Sequence, residues 1–307
     1  MLFYLLLLLL LTSNLSAEAT ANIDKFDAGH CPDKHALFFW EIKDLEQPIY
    51  LLGTIHFGNE SMYPLDEQIV NSLNKSEVLV SEISLDPRSK MEAALAAQKY
   101  GIIADPNHHL QNMIQAKTYE AVKKKIRGMG MDMMMFDRMK PWMVGMTLSI
   151  FDIKKLGINE EEGIENYIMK QAPKQMAKEG LETPTSQIIA FNKLSDHDGF
   201  LQMNLKEEPE MLQQMNRILN AWKCGNQQVL QKILVSESFE EINDKTFMRA
   251  LLEDRNHLMT EGIIENYIKK KRSAFVMLGS AHFVGPEGVL QLLKEKGYQL
   301  RQFQALR

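Results

Sequence analysis

The chain has 307 residues, enough to bury one large core or two small ones. Hydrophobic residues make up 45% and charged residues 24%, the balance of a soluble globular protein. A formal net charge of -5 and a pI near 6.0 leave no basic footprint and argue against a nucleic-acid partner.

The chain opens on Leu2–Leu11, an almost unbroken apolar run, followed by Thr12, Ser13 and Asn14 and then Ala17-Glu18-Ala19. A short apolar stretch before a small-x-small cleavage pattern is the mark of a secretory signal peptide, here residues 1–19. The run is far shorter than the ~20 residues that cross a bilayer, so no stable membrane span is expected after cleavage. Cleavage after Ala19 suits the pattern best and cleavage after Ala17 also fits, so the mature chain begins near Thr20 or Glu18. No Cys stands at the cleavage point, which speaks against a lipoprotein anchor. The expected location is the periplasm or the medium. The two cysteines, Cys31 and Cys224, would meet an oxidising compartment there, so a disulfide between them and a pair of unpaired thiols are both open readings.

Residues 37–42 and 48–54 are short apolar runs separated by charged residues, the pattern of a β-hairpin that leads into a buried strand. Ile69, Val70 and Leu73 have helix spacing over 66–75, and Val78-Leu79-Val80 reads as a second buried strand ending at Ser81-Glu82. This β-α-β unit implies a parallel sheet. From about 88 to 270 the pattern is helical and rich in methionine, for which flexible core filler is the plain reading and a Cu(I)-binding thioether cluster at Met129–Met135 the sharper one. Lys123–Lys125 and Lys269–Arg272 fall at helix ends, where cations suit the macrodipole. Glu162–Ile168 and Glu261–Ile268 are nearly alike, which two helices with similar faces would explain without a repeat architecture. Residues 274–281 form another buried strand; a helix from Val289 to Lys296 stops at Gly297, and Tyr298–Phe303 alternates as a closing strand. The expected fold is therefore α/β: a central, mostly parallel sheet flanked by helices, with residues 20–307 forming one domain and about 88–270 a mainly helical insertion.

Three polar residues stand at the carboxyl ends of three expected strands: His56, Glu82 and His282. Ligands of open α/β sheets bind beyond those ends. Both histidines occupy the last position of Gly-x-x-His, in Gly53–His56 and Gly279–His282. Two imidazoles and a carboxylate hold a divalent ion and leave coordination positions for water and substrate, while Mn, Co, Zn and Fe all accept such ligands. The plainer reading is two hydrogen-bonded loop histidines and a helix-capping glutamate. No H-E-x-x-H, G-x-S-x-G, P-loop or C-x-x-C pattern is present.

Tyr50-Leu-Leu-Gly-Thr-Ile-His-Phe-Gly58 and Phe275-Val-Met-Leu-Gly-Ser-Ala-His-Phe-Val-Gly285 resemble the paired motifs of the TraB/GumN family. That family includes the Tiki metalloproteases, and its wider fold relatives resemble erythromycin esterases and the haem-binding ChaN lipoprotein. Val78–Ile83, Gly163–Ile168, Gly180–Thr183 with Gln187, and Arg255-Asn256 match further family landmarks in order, with Glu165 where Asp is more usual. The resemblance runs from about Leu37 to Arg301. It implies an erythromycin-esterase/ChaN-like fold, with His56 and His282 as metal ligands or catalytic histidines and Glu82 as their carboxylate partner in a metal site. Glu82, Glu182 and Arg255 become the candidate catalytic residues: Glu182 a further ligand or general base, Arg255 an oxyanion donor or the partner that orients Glu82. Structural readings stand beside these, a helix N-terminal carboxylate for Glu182 and a salt bridge for Arg255. The implied function is an exported metal-dependent hydrolase, peptidase-like, acting on a peptide or small molecule. The alternative is a non-catalytic protein that sequesters a peptide or haem in the same cleft. Of the other histidines, His108 and His109 read as surface at a helix start and His197 as part of a polar turn, while His30 and His35 flank Cys31.

Overall fold

The computed structural model describes residues 31–306 apart from 207, 238, 239 and 241. The signal-peptide expectation and His30 lie outside the described residues. Six strands form one sheet: β1 (Ala36–Ile42), β2 (Ile49–Thr54), β3 (Val78–Ile83), β4 (Ala177–Glu182), β5 (Ala274–Gly279) and β6 (Leu300–Gln304), in the order β4-β3-β5-β2-β1-β6. The β4-β3, β3-β5 and β5-β2 pairings are parallel; β1 pairs antiparallel with both β2 and β6. The sheet is thus a parallel four-strand body with an antiparallel margin.

Every residue of β2, β3 and β5 is buried. Strands covered on both faces need apolar residues without alternation, which is why these three are the continuous runs visible in the sequence. Parallel neighbours also need crossovers, so helices must return the chain over the faces. Helix α1 (Glu67–Asn74) makes the first return, capped by the Asp66 carboxylate, and Asp86 caps α2 (Pro87–Gly101) in the same way. The chain continues through α3 (Ala116–Gly128), α4 (Pro141–Lys155), α5 (Ile164–Gln171), α6 (Pro184–Phe191), α7 (His197–Met203) and α8 (Glu208–Lys223). Beyond α8 mixed helical segments follow at 227–237 and 245–268, with π-helical turns at Lys232–Glu237, Arg249–Glu253 and Ile264–Ile268.

Four sequence expectations are corrected. The helical insertion contains a strand, β4, with the sequence Ala-Lys-Glu-Gly-Leu-Glu and no buried residue. As an edge strand it carries polar side chains, so no apolar run betrays it. His197 begins a helix, with Asp196 as its cap, and is not in a turn. The near-repeat segments differ in role: Gly163 precedes α5 as its cap, whereas Gly262 lies inside the helix Asp254–Ile263. Within Met129–Met135, Met134 and Met135 are 81% and 59% exposed and fill no core.

Cys31 and Cys224 are joined in a disulfide across 193 residues, which ties the chain before β1 to the end of α8. At the same place the Trp222 indole N–H donates to the Gly53 carbonyl at 2.6 Å, so α8 is pinned to β2 from two sides. No helix of the described residues is long and apolar enough to cross a membrane.

Candidate functional site

The four parallel strands deliver their carboxyl ends to one edge of the sheet. His56 follows β2, Glu82 lies in the last turn of pleat of β3, Glu182 ends β4, and His282 closes a 3-10 turn, Ser280–His282, directly after β5. The structure therefore brings together all the residues expected from the sequence, with Glu182 added from the strand that the sequence concealed. Arg255 reaches the same edge from the helix Asp254–Ile263, immediately after a π-helical turn. Such turns shift side chains off the α-helical register and recur at functional sites.

Arg255 joins the two carboxylates. Its Nη2 donates to Glu82 Oε2 at 2.7 Å and to Glu182 Oε1 at 2.5 Å, and its Nε donates to Glu182 Oε1 at 2.9 Å. Nη1 donates to the Leu251 carbonyl at 2.8 Å, within the π-turn. All three side chains are buried, with 5–7% of their surface exposed. Two buried carboxylates against one guanidinium leave a surplus negative charge, which is costly unless hydrogen bonds or a cation offset it. Part of the offset comes from the Gly279 N–H, which donates to Glu82 Oε1 at 2.6 Å. Burial alone would raise the Glu82 pKa; the neighbouring His282, Arg255 and His56 outweigh it and hold the carboxyl well below its usual range, so it is ionised.

Each histidine has its Nδ1 anchored. His56 Nδ1 lies 2.7 Å from Glu165 Oε1, and the Thr54 hydroxyl donates to the same oxygen. Burial pulls the His56 pKa down, but Glu165, with Glu82 and Glu160 beyond it, more than compensates and leaves it raised. His282 Nδ1 lies 2.6 Å from Asn256 Oδ1, and the Asn256 amide donates to the Glu287 carbonyl at 2.7 Å. That second bond fixes which way the amide faces, so Oδ1 must accept from Nδ1–H. His282 Nε2 lies 3.5 Å from Glu82 Oε2.

Gly279 explains the opening between these groups. A Cβ there would sit 3.1 Å from Glu82 Oε1, 3.5 Å from His56 Nε2 and 3.7 Å from His282 Cδ2. The three side chains therefore face one small space that any other residue would occupy. Gly163 serves differently: a Cβ on it would come within 2.1 Å of the His56 carbonyl oxygen. Its absence lets the first turn of α5 press against the His56 loop, where the Ile164 N–H donates to the Ile55 carbonyl at 3.0 Å and Glu165 meets the imidazole.

Glu165, Thr54 and Asn256 were not among the residues singled out as site candidates. Glu165 and Asn256 stand inside motifs that carry the family resemblance, which is the only signal that could have raised them. Glu182 is paired to Arg255 but does not line the cavity that His56, Glu82, Arg255 and His282 border. Among the described residues no group of three or more His, Cys, Asp or Glu side chains is gathered as a ready-made metal cage.

An open α/β sheet with polar residues converging from four strand ends defines a binding or catalytic crevice of the switch-point type. The chain belongs to the TraB/PrgY/gumN family, whose model matches residues 38–302. It is 20% identical over 287 residues to an uncharacterised protein of Treponema pallidum, covering 84% of this chain and 80% of that one. It is also 22% identical over 352 aligned positions to a metalloprotease TIKI homolog of Amphimedon queenslandica, covering 96% of this chain and 66% of that protein, just under two thirds of its length. No solved structure matches the chain.

Proposed function

We propose that the chain is an exported metal-dependent hydrolase that cleaves an amide by attack of water on its carbonyl carbon. The observation that carries this reading is the convergence of His56 Nε2, Glu82 Oε1 and the edge of the His282 ring on the space at Gly279, with both Nδ1 atoms already engaged. Anchored Nδ1 atoms are the outer-shell arrangement of metal-binding imidazoles. The donor chemistry fits as well. His282 Nε2 and Glu82 Oε2 stand 3.5 Å apart, and two ligands of a tetrahedral ion at ~2.1 Å stand about 3.4 Å apart. The surplus negative charge around Arg255 also favours a cation.

In this reading His56, Glu82 and His282 hold a divalent ion, of which Mn, Co, Zn and Fe all suit the donor set. When bound, such an ion supplies a water of lowered pKa and polarises the substrate carbonyl. Glu82 is held ionised by Arg255 and the Gly279 N–H and would stay the anionic ligand, while the proton that the attacking water loses leaves with the amine. Arg255 borders the cavity and can donate to the oxyanion, while Glu182 positions the guanidinium from behind. Glu165 and Asn256 keep the two imidazoles in one tautomer and one orientation.

Metal analysis of the purified chain tests the proposal. The wild type should bind one ion per chain, and His56→Ala and His282→Ala should each abolish binding with the fold intact. Full retention in both variants would remove the site. A wild type that takes up no Mn, Co, Zn or Fe would instead leave a sequestering protein using the same cleft. Export is supported by the Cys31–Cys224 bond, since disulfides persist in oxidising compartments. Cell fractionation together with the mass of the mature amino terminus checks it.

A further inference from the structure

The same site opens onto a cavity of about 330 Å³ whose remaining walls are apolar. Its polar end is His56, Glu82, Arg255 and His282, and its far walls come from α7, α8 and the mixed helical segments after them. Met203, Met215, Ile218, Leu234 and Leu251 are only half buried there, and Met248 is fully buried. Leu234 and Leu251 stand in two of the π-helical turns. We infer that this cavity receives the unbranched alkyl chain of an acyl amide whose carbonyl sits at the His56–His282 end. The inference rests on the hydrolase reading and deepens it by naming the substrate class.

Three observations favour an alkyl chain over a peptide. Beyond the polar end and Thr54 and Ser280 beside it, no side chain that lines the cavity among the described residues carries a hydrogen-bonding group. Each further peptide unit would bury an amide without a side-chain partner, whereas a methylene loses nothing on leaving water. Secondly, methionine thioethers are unbranched and adaptable, and three of them form a wall that suits a flexible chain without a fixed side-chain shape. Thirdly, Glu82 and Glu182 share Arg255 while Glu165 is paired to His56 beside them, so the polar end is rich in carboxylates and favours a neutral group over a free carboxylate. An amide enters uncharged. On hydrolysis the water oxygen bonds to the carbonyl carbon, the C–N bond breaks, the amine leaves with a proton, and the acid product ionises beside those carboxylates.

Calorimetric titration of the full chain with hexanamide, octanamide and decanamide tests the inference, with and without added Mn or Zn. Binding should tighten about fourfold for each methylene until the cavity is filled. Met215→Trp, at a half-buried wall position, should shorten the preferred chain, and Ile218→Trp serves if that variant does not fold. Affinity that does not change along the series, or an apolar tetrapeptide amide binding tighter than decanamide, would overturn the acyl-chain assignment. The metal-free arm separates the two claims. A chain-length dependence without metal uptake removes the hydrolase reading alone, and metal uptake without chain-length dependence removes this one alone.

Discussion

Gly279 carries more of the site than any charged residue, because it is the space the other residues share. Gly279→Ala would place a methyl 3.1 Å from Glu82 Oε1, close enough to displace it by a few tenths of an ångström, and in van der Waals contact with His56 Nε2 at 3.5 Å. We expect metal affinity or activity to fall at least tenfold while the melting temperature moves little. A variant that loses its fold instead would show that Gly279 is needed by β5 rather than by the site. Glu165 acts through His56, so Glu165→Ala should lower metal affinity 10- to 100-fold, with partial rescue in Glu165→Asp. Arg255 is different in kind. Removing it strands two buried carboxylates, and Arg255→Ala should cost about 3–5 kcal/mol in denaturant unfolding. A cost below about 1 kcal/mol, the scale of an exposed pair, would mean that the triad is solvated.

Among the elements, the turn into the second mixed helical segment shows how a single carboxylate organises a junction. Asp244 caps Lys245–Met248 by accepting from the Phe247 N–H, and its other oxygen accepts from the Ser195 N–H, the Ser195 hydroxyl and the Asp196 N–H. Burial would raise its pKa, but these bonds outweigh burial and lower it from the usual 3.8 to about 2. A folded-state pKa below the unfolded value contributes stability above about pH 3.8 and loses it as pH falls towards 2. Asp244→Asn should therefore lower stability by about 1–3 kcal/mol at neutral pH and flatten the acid limb of the stability curve. An unchanged acid limb in the variant would assign that pH dependence to other carboxylates. The strands show the limits of pattern reading at this scale. β2, β3 and β5 announce themselves because both faces are covered, whereas β4 lies at the edge with polar side chains and reads as a break between helices.

At the scale of the whole molecule, the Cys31–Cys224 bond closes a loop of nearly two hundred residues that holds β1 to β4, four of the six strands of the sheet. Cross-links over long loops restrict the unfolded chain most, so Cys224→Ser should cost about 2–5 kcal/mol, read from urea unfolding. Because α8 lines the apolar cavity and is pinned to β2 beside Gly53, loosening it should also weaken decanamide binding. Unchanged stability under reducing and oxidising conditions would mean that the bond contributes nothing to the folded state.

What the sequence determined on its own was the set of strand ends. Continuous apolar runs that end near Thr54, Glu82 and Ala281 mark where a parallel sheet meets solvent, and chemistry gathers there because backbone and side chains become free together. His56, Glu82 and His282 could be named from that pattern, and the family motifs extended it to Glu182 and Arg255. Only the tertiary structure decided how these groups share their charges. That Arg255 spans both carboxylates, that Glu182 stands outside the cavity and that Glu165 holds His56 depend on contacts across 73 to 173 residues, which local periodicity does not encode. The apolar chamber was hidden for the same reason: its walls are helix faces that look like ordinary core until the fold leaves them facing a space that the polar site closes.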